Sequence, residues 1–216
     1  TVSRPLAYRS KTKWVASAHP SGRLLLGGYR HRSHEVVHLG TCPVTPPEIM
    51  ALYTPLQESL SMVAPYDETN RSGLLRSVFV KRVSSGELLI TFVVTERPDE
   101  RTLRQLLSLS DSEAVKGITL NIHKGEGNVL TGAEEYAIYG ISHLMERDHP
   151  LPYPVNATAF SQINSEIART VYSRIGELVG TGHKLILDLY AGNGPIALAL
   201  AHNADEVIAV ERSEAA

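Results

Sequence analysis

Cysteine is nearly absent from this chain: Cys42 is the only one in 216 residues, so no disulfide can form within it. That usage suits a reducing compartment, and a cytoplasmic location is the expectation. An apolar run approaching the roughly 18 residues of a membrane span is missing. So is the charged, apolar and small-residue series of a signal peptide. A dominant charge is lacking too, since 21 basic and 23 acidic residues leave a formal net charge of −2. Neither internal repeats nor low-complexity tracts occur. What remains is an ordinary globular composition, 43% hydrophobic, with enough residues to bury a real core in one large or two small domains.

Along the first 150 residues the pattern is one of strands and hairpin turns. Tyr8 and Arg9 begin a strand. Residues 23–29 and 33–39 read as two strands around a basic turn, and 74–83 with 87–95 as a hairpin closed by Ser84, Ser85 and Gly86. Residues 117–123 and 128–131 predict a further hairpin around Gly125, Glu126 and Gly127. Helical periodicity appears at 47–63, where Pro55 must kink or divide the helix, and at 98–109. Three prolines at 150, 152 and 154 break regular structure and mark a boundary near residue 150. A helix then starts at about Ser165, with Ile167, Val171, Ile175 and Leu178 on one face and Gly180 as its stop.

The most informative stretch follows that helix. Residues 185–187 form a short apolar run suited to a buried parallel strand, and Gly192 and Gly194 make a turn where backbone can approach a ligand. Pro195 stands where a first helical residue belongs. A second strand, 207–210, ends at Glu211, whose carboxylate can accept ribose hydroxyls. Gly192, Gly194 and Ala197 also satisfy a loose dinucleotide pattern, so a nicotinamide or flavin cofactor stays open as an alternative. Asp188 argues against it: at the strand end it would repel a pyrophosphate but welcome the ammonium and sulfonium of S-adenosyl-L-methionine. Two strands with one crossover leave apolar surface uncovered, so more chain, or a partner, is expected to complete the sheet. The short run after Glu211 and the start at Thr1 read as truncation at both ends.

Other constellations carry less. Between residues 4 and 32 lie Arg4, Arg9, Lys11, Lys13, Arg23, Arg30 and Arg32 without one acid. Tyr8, Trp14 and Tyr29 are interleaved with them, as phosphate contact and base stacking would require. His31, His34 and His38 are discounted as a metal site, because on a strand residues three apart face opposite ways and residues four apart lie roughly 13 Å from each other. Glu134 and Glu135 read as surface residues.

Phe160, Gln162 and Asn164 ahead of a helix, then Leu187, Asp188, Tyr190, Gly192 and Gly194, then Val210 and Glu211, resemble the RNA uracil-C5 methyltransferases that make 5-methyluridine in tRNA and ribosomal RNA. Leu26 to Arg30, Ser33 to Val37, Cys42-Pro43, Gly117, Ile118 and Asn121, and Asn128, Val129 and Gly132 agree with that family's central domain. The resemblance implies an α+β central, RNA-binding domain over 1–150, followed over 151–216 by the start of an α/β Rossmann-like S-adenosylmethionine-dependent methyltransferase domain. It implies that Gln162 and Tyr190 touch the cofactor, Asp188, Gly192 and Gly194 shape its turn, and Glu211 binds its ribose. Pro195 departs from the polar residue common there, and Ala191 from a frequent cysteine.

The family's reaction adds a cysteine thiolate to carbon 6 of the uracil, so that carbon 5 attacks the methyl sulfonium, after which a base removes the carbon-5 proton and the thiolate leaves. That cysteine and its base are expected beyond Ala216, so the piece by itself is expected to be inactive. Cys42-Pro43 resembles the fourth ligand of a [4Fe–4S] cluster found in some members, which would need three upstream cysteines. On that ground 23S ribosomal RNA is the first expectation for substrate and tRNA the second. The base would be flipped out to reach the methyl group. No obligate protein partner is implied. A noncatalytic RNA-binding module with a vestigial methyltransferase part is the alternative of a different class.

Overall fold

The structure, a computed structural model, describes residues 4–125 and 129–213. Its elements in chain order are β1 (Lys11–Ala18), β2 (Leu24–Tyr29), β3 (Val36–His38), α1 (Pro47–Met50), α2 (Tyr53–Ser59), β4 (Leu75–Arg82) and β5 (Leu88–Val94). There follow α3 (Glu100–Leu106), β6 (Val115–Ile122), β7 (Glu134–Gly140), β8 (Leu144–Glu146), β9 (Tyr153–Val155), α4 (Ser165–Val179), β10 (His183–Leu189), α5 (Pro195–Ala199) and β11 (Ala204–Val210). The fold is mixed α/β. Seven strands form one sheet in the order β3-β2-β1-β4-β5-β6-β7, antiparallel except for β5 with β6, whose parallel pairing the α3 crossover permits.

Burial explains why β4 and β5 sit near the centre. Every residue of β5 is buried, as a strand covered on both faces requires. On one face Trp14, Leu26, Val78, Ile90, Phe92 and Leu120 pack beneath Ile49, Tyr53, Leu56 and Leu106 of the helices. On the other, Phe79, Val83, Leu89 and Val93 meet Leu144, Val155 and Ala157 from the β8–β9 ribbon and the segment after it. The ribbon thus lays residues 144–164 across the second face of the sheet and delivers α4 beside its β1–β4 region.

Several expectations need correction. The helix predicted over 47–63 is two helices, and the division falls at Ala51 and Leu52, not at Pro55. Pro55 occupies the first turn of α2, where a missing N–H breaks no intrahelical bond. The strand paired with β6 is β7, beginning at Glu134, rather than 128–131. Val129 to Thr131 are not strand, and the turn residues 126–128 lie outside the described residues. Pro154 does not end regular structure: it sits in β9, paired with Met145, in a three-residue strand that tolerates a missing donor.

The last four elements follow the predicted pattern more closely. Asn164 caps α4, its side-chain oxygen accepting from the Ile167 amide at 3.1 Å, and Gly180 follows the helix with φ 73°. β10 and β11 pair in parallel with α5 between them. Yet Ala168 and Tyr172 are the buried side chains of α4, while Ile167, Val171 and Leu178 of the apolar face stand exposed. Leu185, Leu187, Leu189, Ile208 and Val210 are likewise exposed, forming one face of the two-stranded sheet. Among the described residues no helix is long and apolar enough to cross a membrane.

Loss of the α4 cap should be measurable. Asn164→Ala is expected to lower the free energy of urea unfolding by about 1 kcal/mol, while Asn164→Asp keeps most of it. An alanine variant as stable as the parent would show that the cap contributes nothing.

Candidate functional site

The turn after β10 is shaped by its own backbone bonds. Tyr190, Gly192 and Gly194 adopt φ of 62°, 57° and 78°. A β-carbon on either glycine would touch nothing, so the glycines serve conformation and leave the surface of the turn open. Gly194 is the N-cap of α5, and Pro195 takes the first helical position. Asp188 reaches from the strand end to accept from the Ala197 amide at 3.0 Å. Its carboxylate therefore occupies the place at the helix start that a phosphate would need.

Glu211 holds the same turn from the neighbouring strand. Its Oε2 accepts from the Gly192 amide at 2.9 Å, and Oε1 accepts from the amides of Arg212 at 2.8 Å and Ser213 at 2.7 Å. The amides of Ser213 and Gly192 hold its carboxyl below the ordinary range. Oε2 keeps one lone pair free for a hydroxyl. Tyr190, 93% exposed, projects from the turn.

A cleft of about 150 Å³ opens between this turn, the start of α4 and the segment 146–162. Gln162, Tyr190 and Gly192 line it together, as do Lys81, Glu146, His149, Tyr153 and Tyr172. Asp188, Gly194 and Glu211 do not line the cleft but brace the turn at its side. Asn193 ties the turn to β9 through the Pro154 carbonyl at 3.1 Å.

The cleft is electrostatically unusual. Glu146 is buried and receives at Oε1 the Ser84 hydroxyl and the amides of Ser84, Arg147 and Asp148. Burial, with Glu146 and Tyr172 adding to it, pushes the Tyr153 hydroxyl far up. Burial also raises Tyr172 and lowers His149, whose ring meets Tyr153 and Tyr172 edge-on at 5.4 and 5.9 Å. Lys81, only 3% exposed, donates to Ser10 Oγ at 3.2 Å and Ser161 Oγ at 3.5 Å. Opposite it in the β1–β4 register stands Lys11, which donates to the Ala159 carbonyl at 2.7 Å.

These lysines belong to a strap. Ser10 donates twice to it: its amide to the Ile163 carbonyl at 2.7 Å and its hydroxyl to the Gln162 carbonyl at 3.2 Å. Residues 159–163 are thereby fastened to the ends of β1 and β4, and this sets where Gln162 stands.

The basic N-terminal residues divide. Lys11 and Lys13 are half-buried, and burial lowers both. Arg9 is half-buried beside Asn164. Arg30 and Arg32 lie exposed on the β2–β3 turn, Arg30 in a two-pronged pair with Glu35 at 2.9 and 3.0 Å. Trp14 is 1% exposed, edge-on to Tyr53 at 5.3 Å, so the expected base-stacking role is corrected to a core one. Tyr29 remains exposed.

Cys42 is half-buried. Burial raises its thiol, but hydrogen bonds from Thr45 and Val44 and the nearby Arg9 charge outweigh this and hold it below the usual range. It is the sole cysteine of the sequence, and among the described residues no three His, Cys, Asp or Glu side chains could hold a metal. These residues do not suffice for an iron–sulfur cluster.

Glu135 is another correction. Far from a free surface residue, it is half-buried and accepts from Thr119 at 3.1 Å, Asn121 at 3.1 Å and Thr158 at 2.8 Å. It thereby joins β6, β7 and the segment after β9. Sequence reasoning also missed Lys81, Glu146, His149, Tyr153 and Tyr172. One signal was available for Lys81: a lysine inside the apolar run of a central strand is costly unless something uses it.

Comparison with known proteins gives the family and the fold. The profile of the tRNA (uracil-5-)-methyltransferase family matches residues 36–216. An uncharacterized RNA methyltransferase of Geobacter sulfurreducens is 34% identical over 98% of this chain and 43% of its own length. One from Streptococcus agalactiae is 31% identical over 98% of this chain and 48% of its own. The chain thus spans less than half the length of these relatives. Among solved structures, a tRNA (uracil-54, C5)-methyltransferase of Pyrococcus abyssi in complex with S-adenosyl-L-homocysteine superposes with a TM-score of 0.71 at 19% identity. The match covers 96% of this chain and 50% of that one, and it shows a shared fold.

The buried lysine makes a pH test possible. Burial pushes Lys81 down from 10.5 to about 8, Glu146 opposing and Lys11 assisting. Between those values the folded chain binds fewer protons than the unfolded one, so this group makes stability rise with pH across that window and exacts its full cost below it. In urea unfolding, the parent is expected to gain on Lys81→Met between about pH 7 and about pH 10. An equal difference at both would contradict the burial of a charged lysine.

Proposed function

We propose, from the premise that the chain belongs to the tRNA (uracil-5-)-methyltransferase family, that it forms part of the S-adenosyl-L-methionine site and an RNA-contacting part of an enzyme that methylates carbon 5 of a uridine. The observation that carries this reading is the open glycine turn braced by two carboxylates, Asp188 beneath it and Glu211 beside it. An acid already seated at the start of α5 disfavours a pyrophosphate and tolerates a cation, which speaks for the sulfonium cofactor over a dinucleotide.

The residues fit that group. S-adenosyl-L-methionine, when bound, supplies an electrophilic methyl on a positive sulfur. Glu211 is ionised and has a lone pair at Oε2 for a ribose hydroxyl. Tyr190 is free to lie along the cofactor, Gln162 reaches the same cleft, and the turn presents no β-carbon at Gly192 or Gly194 to bar a close approach. We read residues 151–216 as the beginning of a Rossmann-like methyltransferase domain and residues 1–150 as the RNA-facing one, with Arg30 and Arg32 on the exposed β2–β3 turn suited to phosphates. Arg9, Lys11 and Lys13 stand closer to the strap and serve RNA less directly.

We assign no nucleophile to this chain. Cys42 does not line the cleft, so the thiolate that attacks carbon 6 has to come from elsewhere, and the piece alone is expected to transfer no methyl group. Cys42-Pro43 favours ribosomal RNA as substrate and the family's name favours tRNA; methylation of the two transcripts by the intact protein separates them.

Calorimetric titration of the intact protein with S-adenosylhomocysteine tests the pocket. Glu211→Ala and Asp188→Ala are each expected to weaken binding about tenfold, and NADH is expected not to bind. Unchanged affinity in both variants would remove the assignment.

A further inference from the structure

Lys81 is the buried cation whose surroundings the fold does not explain. An ammonium has three donors, and Lys81 gives two of them to neutral hydroxyls, Ser10 Oγ at 3.2 Å and Ser161 Oγ at 3.5 Å. Among the described residues no carboxylate lies within ion-pair distance of it. Glu146 shares the cleft, but its Oε1 is taken up by the Ser84 hydroxyl and three backbone amides. Lys11, directly opposite in the strand register, adds a second positive charge. Glu146 attracts Lys81 without touching it; a buried ammonium with no direct ion pair is unfavourable, and like charges facing across strands add to the cost. Such an arrangement persists where an anion completes it.

The anion has to be small and has to enter from the cleft, since that is where Lys81 is lined up with Gln162, Tyr190 and Gly192. At 3% exposure it is out of reach of a phosphate held in an RNA backbone. A carboxylate on a flexible chain can reach it. We propose that Lys81 receives the carboxylate at the amino-acid end of the methyl donor, which makes the cleft selective for nucleosides that carry that end. The assignment rests on the cofactor reading above and adds to it a residue from the central sheet. Through Ser161, Lys81 also sits against the 160–164 segment that carries Gln162, so carboxylate binding and placement of Gln162 share one anchor.

The test compares two nucleosides on the intact protein by calorimetry: S-adenosylhomocysteine, which carries the amino-acid end, and 5′-methylthioadenosine, which lacks it. Lys81→Met is expected to weaken S-adenosylhomocysteine about tenfold or more and to leave 5′-methylthioadenosine within about twofold. Lys81→Arg, which keeps the charge, should retain most of the discrimination. Binding of 5′-methylthioadenosine also reports that the variant is folded. Equal loss for both nucleosides, or no loss for either, overturns the role of Lys81 while the cofactor reading stands. If the unaltered protein binds neither nucleoside, the cofactor reading fails and this assignment with it. Loss of RNA affinity with S-adenosylhomocysteine binding intact also overturns it, in favour of a phosphate.

Discussion

The strap between the first sheet and the segment 159–164 is the constraint on which the rest depends. Ser10 bonds to Ile163 and Gln162, Lys11 to Ala159, and Lys81 to Ser10 and Ser161. These bonds join residues about 70 to 150 positions apart in sequence, at the ends of β1 and β4 where the two strands run side by side. Closing loops of that length is entropically costly, and the apolar contacts of Leu144, Val155 and Ala157 with the sheet offset it. The strap thereby holds the segment that carries Gln162 between β9 and α4, where it lines the cleft against the turn at Gly192.

The second half has a different balance. β10, α5 and β11 form a parallel βαβ unit with the helix α4 before it, but one face of its sheet stands exposed. Leu187 is 57% exposed and Leu189 59%, values at odds with central strands of an α/β sheet. Local order here is supplied by capping and turn bonds more than by a core: Asn164 on α4, Asp188 on α5 and Glu211 on the Gly192 amide. Two of these three side chains are the acids proposed for cofactor binding. Structural bracing and ligand recognition therefore draw on the same carboxylates.

The central sheet contributes chemistry as well as support. Lys81 and Glu146 are buried and oppositely charged, and they share the cleft without pairing directly. Burial is what displaces Tyr153 upward and His149 downward from their usual titration ranges, the Glu146 charge adding to the first shift and opposing the second. Glu135 plays a quieter part, tying Thr158 to β6 and β7 and so fixing the approach to Phe160.

Local signals were legible in the sequence wherever one residue type suffices for one backbone event. Asn164 starting a helix, Gly180 ending it, Gly192 and Gly194 turning a strand into α5, and the apolar run in β10 are all of that kind, because capping and φ preferences act over a few residues. The spacing of Asp188 and Glu211 could be read for the same reason. Tertiary structure alone decided the rest. It put Lys81 opposite Lys11, buried Trp14, paired β6 with Glu134–Gly140, and drew Glu146, Tyr153 and Tyr172 into one cleft. Those outcomes depend on strand register and on which face a later segment covers, and neither quantity is stored in any short stretch of the chain.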